Sequence, residues 1–265
     1  MIRSLSLAAL GAALLAAPLA AQQAISCILR PIHEIEVAPP VAGLLEEITV
    51  DRGDAVEKGQ VLGRLQAHVE EARLAAARQR AESTAAVEAR EAQVAEIERQ
   101  LEQVRSLTER GVAAQNQLDE MLAEVSVARA QLAETQDARL AARLEADAAE
   151  AAVALRVIRA PVSGLVLIRH VDPGEYAAAD EPLLDLVTVD TLLAEILLPA
   201  AAQGDVARGD TVTVTDETGT LVRAGRVDAV DPVIDAASRS FGLRVRLDNA
   251  DGAFVAGSRC GASFD

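Results

Sequence analysis

The side chains that most often carry catalysis or bind metal ions are few in this sequence and lie far apart. Its three histidines are His33, His68 and His170. Imidazoles hold a metal ion when two of them share one face of a helix or strand, and these spacings bring no two together. His170 lies two residues before Asp172, which predicts a surface pair at a strand end. The pattern favours a protein that is not an enzyme, with no cofactor and no metal site.

The two cysteines, Cys27 and Cys260, offer thiol chemistry. In an oxidising compartment they could form a disulfide that ties the first mature strand to the last one. A lipid anchor at Cys27 is an alternative, although Ala24-Ile25-Ser26 is an imperfect approach to a lipidated cysteine. A buried free thiol is the third alternative, and the sequence leaves all three open.

The N-terminus has the pattern of an export signal. Arg3 supplies a positive charge, Leu5 to Ala17 form an apolar run, and Pro18 to Ala21 form a cleavage region of small residues. The apolar run is too short to span a bilayer. Residues 1–21 are therefore predicted to be a signal peptide.

The overall charge excludes some partners. The formal net charge is −16 at pH 7. Nucleic acids and anionic membrane surfaces need a basic face, so neither is an expected partner. Aromatic residues make up 2% of the chain, too few for a stacking platform.

Two stretches of the chain repeat one another. Residues 161–186 match residues 40–65 at a constant offset of 121, with nine of 26 positions identical. A duplication indicates two equivalent half-modules. They must meet in space if each is to bury its apolar face, so the segment between them must return to its starting point.

The segment between the repeats has the spacing of a coiled coil. Apolar residues recur every seven positions on both sides of its midpoint. These residues are Val87, Val94 and Leu101 on one side and Leu118, Val125 and Leu132 on the other. Gly111 is the only glycine between residues 64 and 163, so it marks one reversal. The segment is predicted to be a hairpin with arms of about 43 residues, each about 65 Å long.

The C-terminal part alternates as β-strands do. Thr211 to Thr215 and Leu243 to Leu247 alternate strictly, and turn sequences separate such runs. Several short strands with regular turns predict a small β-barrel. A strand around Ile25 to Ile32 is expected to complete it.

In this order, these parts resemble the periplasmic adaptor, or membrane fusion protein, family of tripartite efflux systems of the resistance–nodulation–division type. Residues 39–62 resemble the first lipoyl-like half of the family, and Ile158 to Gly164 the start of the second. Residues 231–249, with Asp231-Pro232-Val233-Ile234-Asp235 at their start, resemble the barrel signature.

The resemblance implies an α+β fold. A long antiparallel α-helical coiled-coil hairpin would be inserted between two halves of a lipoyl-like β-sandwich, followed by a small β-barrel. The predicted segments are a signal peptide (1–21), an N-terminal strand joining the barrel (22–34), the first lipoyl-like half (35–65), the hairpin (66–156), the second half (157–187) and the barrel (188–265).

The resemblance also implies a role and partners. A periplasmic adaptor of this family bridges an inner-membrane efflux transporter and an outer-membrane channel, and self-associates into a ring of three to six copies. It would be held at the inner membrane through its partners. An adaptor for an ATP-driven (ABC) exporter is the alternative within the family.

Two alternatives come from other classes. Lipoyl and biotinyl carriers share the half-module, but they carry a modified lysine on a turn between the halves. Here Lys58 is the only lysine, and it belongs to a turn within the first half. A simple dimerising coiled coil is the other alternative, and it would associate no further than two copies.

The resemblance places the channel contact at the hairpin tip. The family has an Arg, a Leu and a Ser at fixed spacing there, and Gln103, Leu107 and Ala114 fall at those places, so only the leucine matches. The expected contact residues are Gln103, Leu107, Arg110, Gly111, Val112 and Ala114.

Overall fold

The computed structural model describes residues 25–264. The predicted signal peptide lies outside the described residues. The chain forms two compact units, one containing residues 33–188 and the other the segments on either side, up to Ile32 and from Val189.

The described chain contains twelve strands and three α-helices. In chain order they are β1 (Ile25–Val37), β2 (Gly43–Ile48), β3 (Ala55–Val56), β4 (Val61–Leu65), α1 (His68–Glu82), α2 (Ala85–Glu109), α3 (Gln115–Ala154), β5 (Val157–Arg159), β6 (Gly164–Arg169), β7 (Tyr176–Ala177), β8 (Leu184–Pro199), β9 (Thr211–Asp216), β10 (Val222–Val230), β11 (Ser240–Asp248) and β12 (Arg259–Phe264). Among the described residues, no helix combines the length and the apolar character that a membrane crossing needs.

The two repeats lie side by side in the unit of residues 33–188. Strands β2 and β3 of the first repeat pair antiparallel with β7 and β6 of the second, and β4 pairs with β5, which lies just before the second repeat. Two repeat positions that keep a leucine in both copies face one core. Leu62 and its equivalent Leu183 are both buried, as are Leu65 and Leu186. The predicted meeting of the repeats is therefore present in the structure.

The segment between the repeats folds back on itself. Helices α1 and α2 form one arm and α3, of 40 residues, forms the other. Large apolar residues fill the seam toward the tip, among them Ile97, Leu101 and Val125. Toward the base the seam narrows to alanines, with Ala77 and Ala146 in its core.

The first arm differs from the prediction of two continuous arms. It is interrupted between α1 and α2 at Ser83 and Thr84, where Ser83 has an extended backbone (φ −63°, ψ 122°). Serine and threonine hydroxyls compete for backbone hydrogen bonds, and threonine loses side-chain freedom in a helix. Two such residues in succession weaken the helix there, whereas α3 has no such pair opposite them.

The second unit is a closed barrel. Its strand order is β1-β12-β9-β10-β11-β8, and β1 also pairs with β8. Inward side chains fill it, among them Leu192, Val212 and Phe241. The prediction of a mixed α/β chain with a helical hairpin and a barrel is thus confirmed.

One polar side chain is buried among the described residues, that of Asn249, which is 1% exposed. Its amide nitrogen donates to the carbonyl oxygens of Val189 (2.8 Å) and Phe254 (3.0 Å), and its amide oxygen accepts from the N–H of Phe254 (2.9 Å). The side chain therefore ties the loop after β11 to the start of the barrel part of β8.

Candidate functional site

The hairpin reverses in a short turn between α2 and α3. Gly111 has φ +74°, a left-handed conformation that glycine adopts without a steric penalty. Its N–H donates to the carbonyl of Thr108, and the N–H of Val112 donates to that of Leu107, both at 2.9 Å. These bonds satisfy the last carbonyls of α2, as a glycine cap does. The reversal therefore falls at the glycine that the sequence singles out.

The tip presents an apolar end. Val112 is 74% exposed and Leu107 37%. The guanidinium of Arg110 folds back along α2, where its Nε donates to the carbonyl of Ser106 at 3.0 Å. Arg110 is thereby held against its own helix, and the valine forms the most exposed apolar group of the turn.

The structure divides the predicted tip residues into two sets. Gln103, Leu107 and Arg110 line one shallow groove on the side of α2. The other three, Gly111, Val112 and Ala114, lie in the turn itself, and Ala114 is the last residue before α3. All six lie at the end of the hairpin.

The predicted pairing of His170 with Asp172 is wrong. The imidazole of His170 instead lies 3.0 Å from the carboxylate of Asp185 on β8. Asp172 belongs to a turn, where its N–H is bonded to Glu175 and its carboxylate pairs with Arg169. Arg169 therefore pairs with the carboxylate of Asp172, which its closeness in sequence had suggested as the partner of His170.

Arg169 joins the two repeats. It also lies 3.2 Å from the carboxylate of Asp51, and Asp51 and Asp172 occupy equivalent positions of the repeats. The N–H of Arg52 and then the guanidinium lower the pKa of Asp51, and the two carboxylates raise the pKa of Arg169. The repeat equivalent of Arg169 is Ile48, so only one copy supplies the cation. This contact was not predicted from the sequence. The only sign of it there is that one repeat has an arginine where the other has an isoleucine.

The histidines remain apart. His33 lies on β1, His68 opens α1 and His170 follows β6. Within residues 25–264, no group of three or more His, Cys, Asp or Glu side chains is arranged to hold a metal ion.

The two cysteines form a disulfide within the barrel. Cys27 on β1 and Cys260 on β12 lie directly opposite one another in the strand register, with their Cα atoms 4.8 Å apart. Both residues are buried. The bond crosses from the first strand of the barrel to the last one in sequence.

Comparison with known proteins matches this architecture. The CusB-like, beta-barrel domain family matches residues 194–264. The nickel-cobalt-cadmium resistance protein NccB of Alcaligenes xylosoxydans xylosoxydans is 26% identical over 227 residues, which cover 86% of this chain and 53% of that protein. The chain thus spans about half the length of this relative.

Two solved structures share the fold. MacA from Actinobacillus actinomycetemcomitans superposes with a TM-score of 0.68 at 17% identity, covering 90% of this chain and 76% of MacA. The membrane fusion protein Spr0693 from Streptococcus pneumoniae R6 has a TM-score of 0.60 at 17% identity, covering 91% and 97% of the two chains. The chain is thus similar to membrane fusion proteins in its fold, and its C-terminal part matches the CusB-like barrel. The resemblance drawn from the sequence is therefore confirmed.

In this chain, the hairpin occupies the junction between the two repeats. Lys58 lies in the turn between β3 and β4, and its backbone N–H donates to the hydroxyl of Ser163 at 2.9 Å. A carrier lysine would need the turn that joins the two halves. Here that position is taken by α1, α2 and α3.

Proposed function

We propose that this adaptor bridges an inner-membrane efflux transporter and an outer-membrane channel in a tripartite pump, and that it has no enzymatic activity. The observation that carries the proposal is the helical hairpin with its exposed apolar tip, set between two repeats and followed by a CusB-like barrel. An α3 of 40 residues is about 60 Å long, which suits a spacer between two membranes.

The inner-membrane partner proposed is a transporter of the resistance–nodulation–division type. The barrel family that matches the chain carries that designation, and the relative NccB is named for resistance to nickel, cobalt and cadmium. These observations favour this partner over an ATP-driven exporter. The position of Lys58 within the first repeat argues against a carrier domain.

We further propose that the paired repeats form a lipoyl-like sandwich. The antiparallel pairings of β2 with β7 and of β3 with β6 join the two repeats and support this assignment. The six segments given above, with their boundaries, stay predictions. So does self-association into a ring of three to six copies.

We propose the periplasm as the location. The predicted signal peptide and the disulfide in the barrel both suit an oxidising compartment outside the cytoplasm. A sulfur in a disulfide is not free to form a thioether, so the proposal has no lipid at Cys27. Association with the inner membrane would then come from the partners.

Tip docking is tested by cross-linking in intact cells. A photoreactive residue replaces Leu107 or Val112, with Val127 as the control, because Val127 is exposed but lies on α3 away from the turn. We expect both tip positions to capture an outer-membrane channel and the control position not to do so. Capture of no channel from either tip position would refute the docking.

A further inference from the structure

Helix α3 keeps one seam spacing along the whole hairpin, yet two of its seam positions are polar. Its apolar seam residues alternate by three and four positions: Leu118, Met121, Val125, Ala128 and Leu132 toward the tip, and Ala142, Ala146 and Ala149 toward the base. The same alternation, continued between these two groups, falls on Thr135 and Arg139. The seam therefore has two apolar parts with a threonine and an arginine between them.

The first arm is irregular at the same height. Ala77 and Ala81 lie in the base part of the seam, and the next buried residue after Ala81 is Val87, six positions on. This spacing is one residue short of a heptad, and one residue turns a helix by about 100°. A continuous helix would therefore carry the tip part of the seam away from α3. The extended backbone of Ser83 lets α2 turn back, so both parts of the seam face α3.

Two hydrogen bonds between the arms bracket these irregularities. On the base side, Arg80 donates to Glu145 at 2.9 Å. On the tip side, Arg90 donates to Gln131 at 3.0 Å. Between these two bonds lie the residues that we call the polar layer: Ser83, Thr84, Thr135 and Arg139.

The polar layer is held weakly in both arms. Within residues 25–264, the buried Nε of Arg139 has no hydrogen-bond acceptor, which is unfavourable for a buried donor. The hydroxyl of Thr135 donates to the carbonyl of Gln131 at 2.8 Å, one turn earlier in α3, and such bonds slightly destabilise helices and often bend them. Thr84 is the N-cap residue of α2 and makes no side-chain hydrogen bond to it in the described structure. Both arms are therefore weak at one height.

We propose that the hairpin bends at the polar layer. The base block, which is α1 with the part of α3 after Arg139, and the tip block, which is α2 with the part of α3 before Thr135, move as two rigid bodies. Each block is held by its own apolar part of the seam. The non-helical link at Ser83 absorbs the change of backbone angle, and α3 bends at Thr135.

Arg139 favours the bend. In the described conformation its Nε lacks an acceptor, whereas the last carbonyls of a helix have no partner within that helix. When the blocks tilt, the carbonyls at the end of α1 become acceptors for this guanidinium. The cost of opening the seam on one side is then offset by a hydrogen bond that the described conformation lacks.

The inference goes beyond the proposed bridging role and does not depend on it. A bend at this height changes the direction of the tip while the two repeats keep theirs. The alternative is that the polar layer only fixes the register of the arms, as a polar residue in a coiled-coil seam can do. Such a layer would leave the hairpin rigid.

The bend is tested by distance measurements between spin labels in the full chain without its predicted signal peptide. The spanning pair, Ala75→Cys with Ala92→Cys, lies at exposed positions on either side of the polar layer. The control pair, Glu88→Cys with Arg105→Cys, is exposed and has the same separation of 17 residues but lies wholly in α2. The native cysteines are joined in the disulfide and take no label. We expect the distance distribution of the spanning pair to be at least about twice as broad as that of the control pair.

A variant with an apolar layer shows whether the polar layer causes the bend. Thr135→Leu combined with Arg139→Leu joins the two apolar parts of the seam, so we expect the spanning distribution to narrow to the width of the control pair. The matched control is Gln136→Leu combined with Arg143→Leu, which adds two leucines to α3 at exposed positions outside the seam. It should leave the spanning distribution broad. Circular dichroism checks that both variants have kept their helices.

Two results would overturn the proposal. Equal widths for the spanning and control pairs in the wild-type chain would show a rigid layer that only fixes register. A spanning distribution that stays broad in the variant with the apolar layer would show that the bend does not arise from these side chains. The tip cross-link is independent of both results. A tip that captures no channel refutes the proposed function and leaves the bend standing, whereas equal widths refute the bend alone.

Discussion

Two equivalent glycines of the repeats make different contacts, and this difference yields a quantitative prediction. Gly43 opens β2 and Gly164 opens β6, at the repeat offset of 121. A Cβ at Gly164 would lie 2.3 Å from the carbonyl oxygen of Val187, which is backbone paired with β6. A Cβ at Gly43 would instead meet the guanidinium of Arg156 at 2.7 Å, the end of a flexible side chain.

The two substitutions should therefore differ in cost. Alanine at position 164 must separate β6 from β8, and overpacking of this kind costs about 1–3 kcal/mol. Loss of one ladder hydrogen bond adds about 1 kcal/mol, so we expect Gly164→Ala to lower the free energy of unfolding by about 3 kcal/mol. Gly43→Ala moves one side chain and should cost no more than about 1 kcal/mol. Alanine also makes the unfolded chain less flexible than glycine does, which stabilises the folded state. Both variants gain this stabilisation, so it cancels when their free energies of unfolding are compared.

Urea unfolding followed by circular dichroism measures the difference, since the chain contains no Trp for fluorescence. The native spectra of both variants should keep the helical signal of the wild type, because neither glycine lies in the hairpin. Equal unfolding free energies for the two variants, or a larger loss for Gly43→Ala, would refute the steric reasoning. Loss of the helical signal in the folded variants would contradict the separation of repeats and hairpin.

Three further predictions concern the hairpin seam and the barrel. Leu101→Asp buries an unpaired carboxylate in the seam and should lower hairpin stability by about 3 kcal/mol in thermal unfolding. Asn249→Ala leaves buried backbone groups without partners and should cost about 2–3 kcal/mol in urea unfolding. The guanidinium of Arg223 lowers the pKa of Asp251 to about 2. A lowered pKa stabilises the fold above the unfolded pKa, so this contribution is complete above about pH 4 and disappears as the pH falls toward 2. Arg223→Gln should remove that part of the pH dependence.

Each of these predictions has a matched comparison. Leu122→Asp introduces the same charge at an exposed position of α3 and should be nearly neutral, so equal losses would contradict a buried seam. Asn116→Ala removes an exposed amide, and a loss equal to that of Asn249→Ala would contradict the role of the buried hydrogen bonds. An unchanged stability slope between pH 4 and 2 in Arg223→Gln would show that the ion pair does not set the pKa of Asp251.

The sequence predicts those features that follow from local periodicity. The sevenfold spacing of Val94 and Leu101 marks a seam, and both residues are buried in it. The lone glycine of the insert, Gly111, adopts the positive φ that the reversal needs. Duplication predicts that the repeats meet, because only a shared core buries both copies. Heptad spacing and repeats are read along the chain and need no knowledge of distant neighbours.

The features that the sequence does not predict depend on distant partners. His170 pairs with Asp185 because β6 lies beside β8, whereas sequence proximity suggested Asp172. Arg169 pairs with Asp51, which lies 118 positions away in the chain. The break between α1 and α2 at Ser83 was not predicted for another reason. The helical propensity of serine is only slightly unfavourable, and apolar residues recur on both sides of this position. Such contacts follow from strand order, which periodicity alone does not supply.

The pairing of β1 with β12 also constrains the order in which the molecule can fold. The two cysteines of these strands are 233 positions apart in the chain. A nascent chain emerges from its N-terminus, so β1 is made long before the strand that completes its hydrogen bonds. The hairpin and the repeats can form in the meantime, because all their partners lie between residues 33 and 188. Barrel closure is therefore the final event of maturation, and a truncated chain would be left with an open sheet edge that is prone to aggregation.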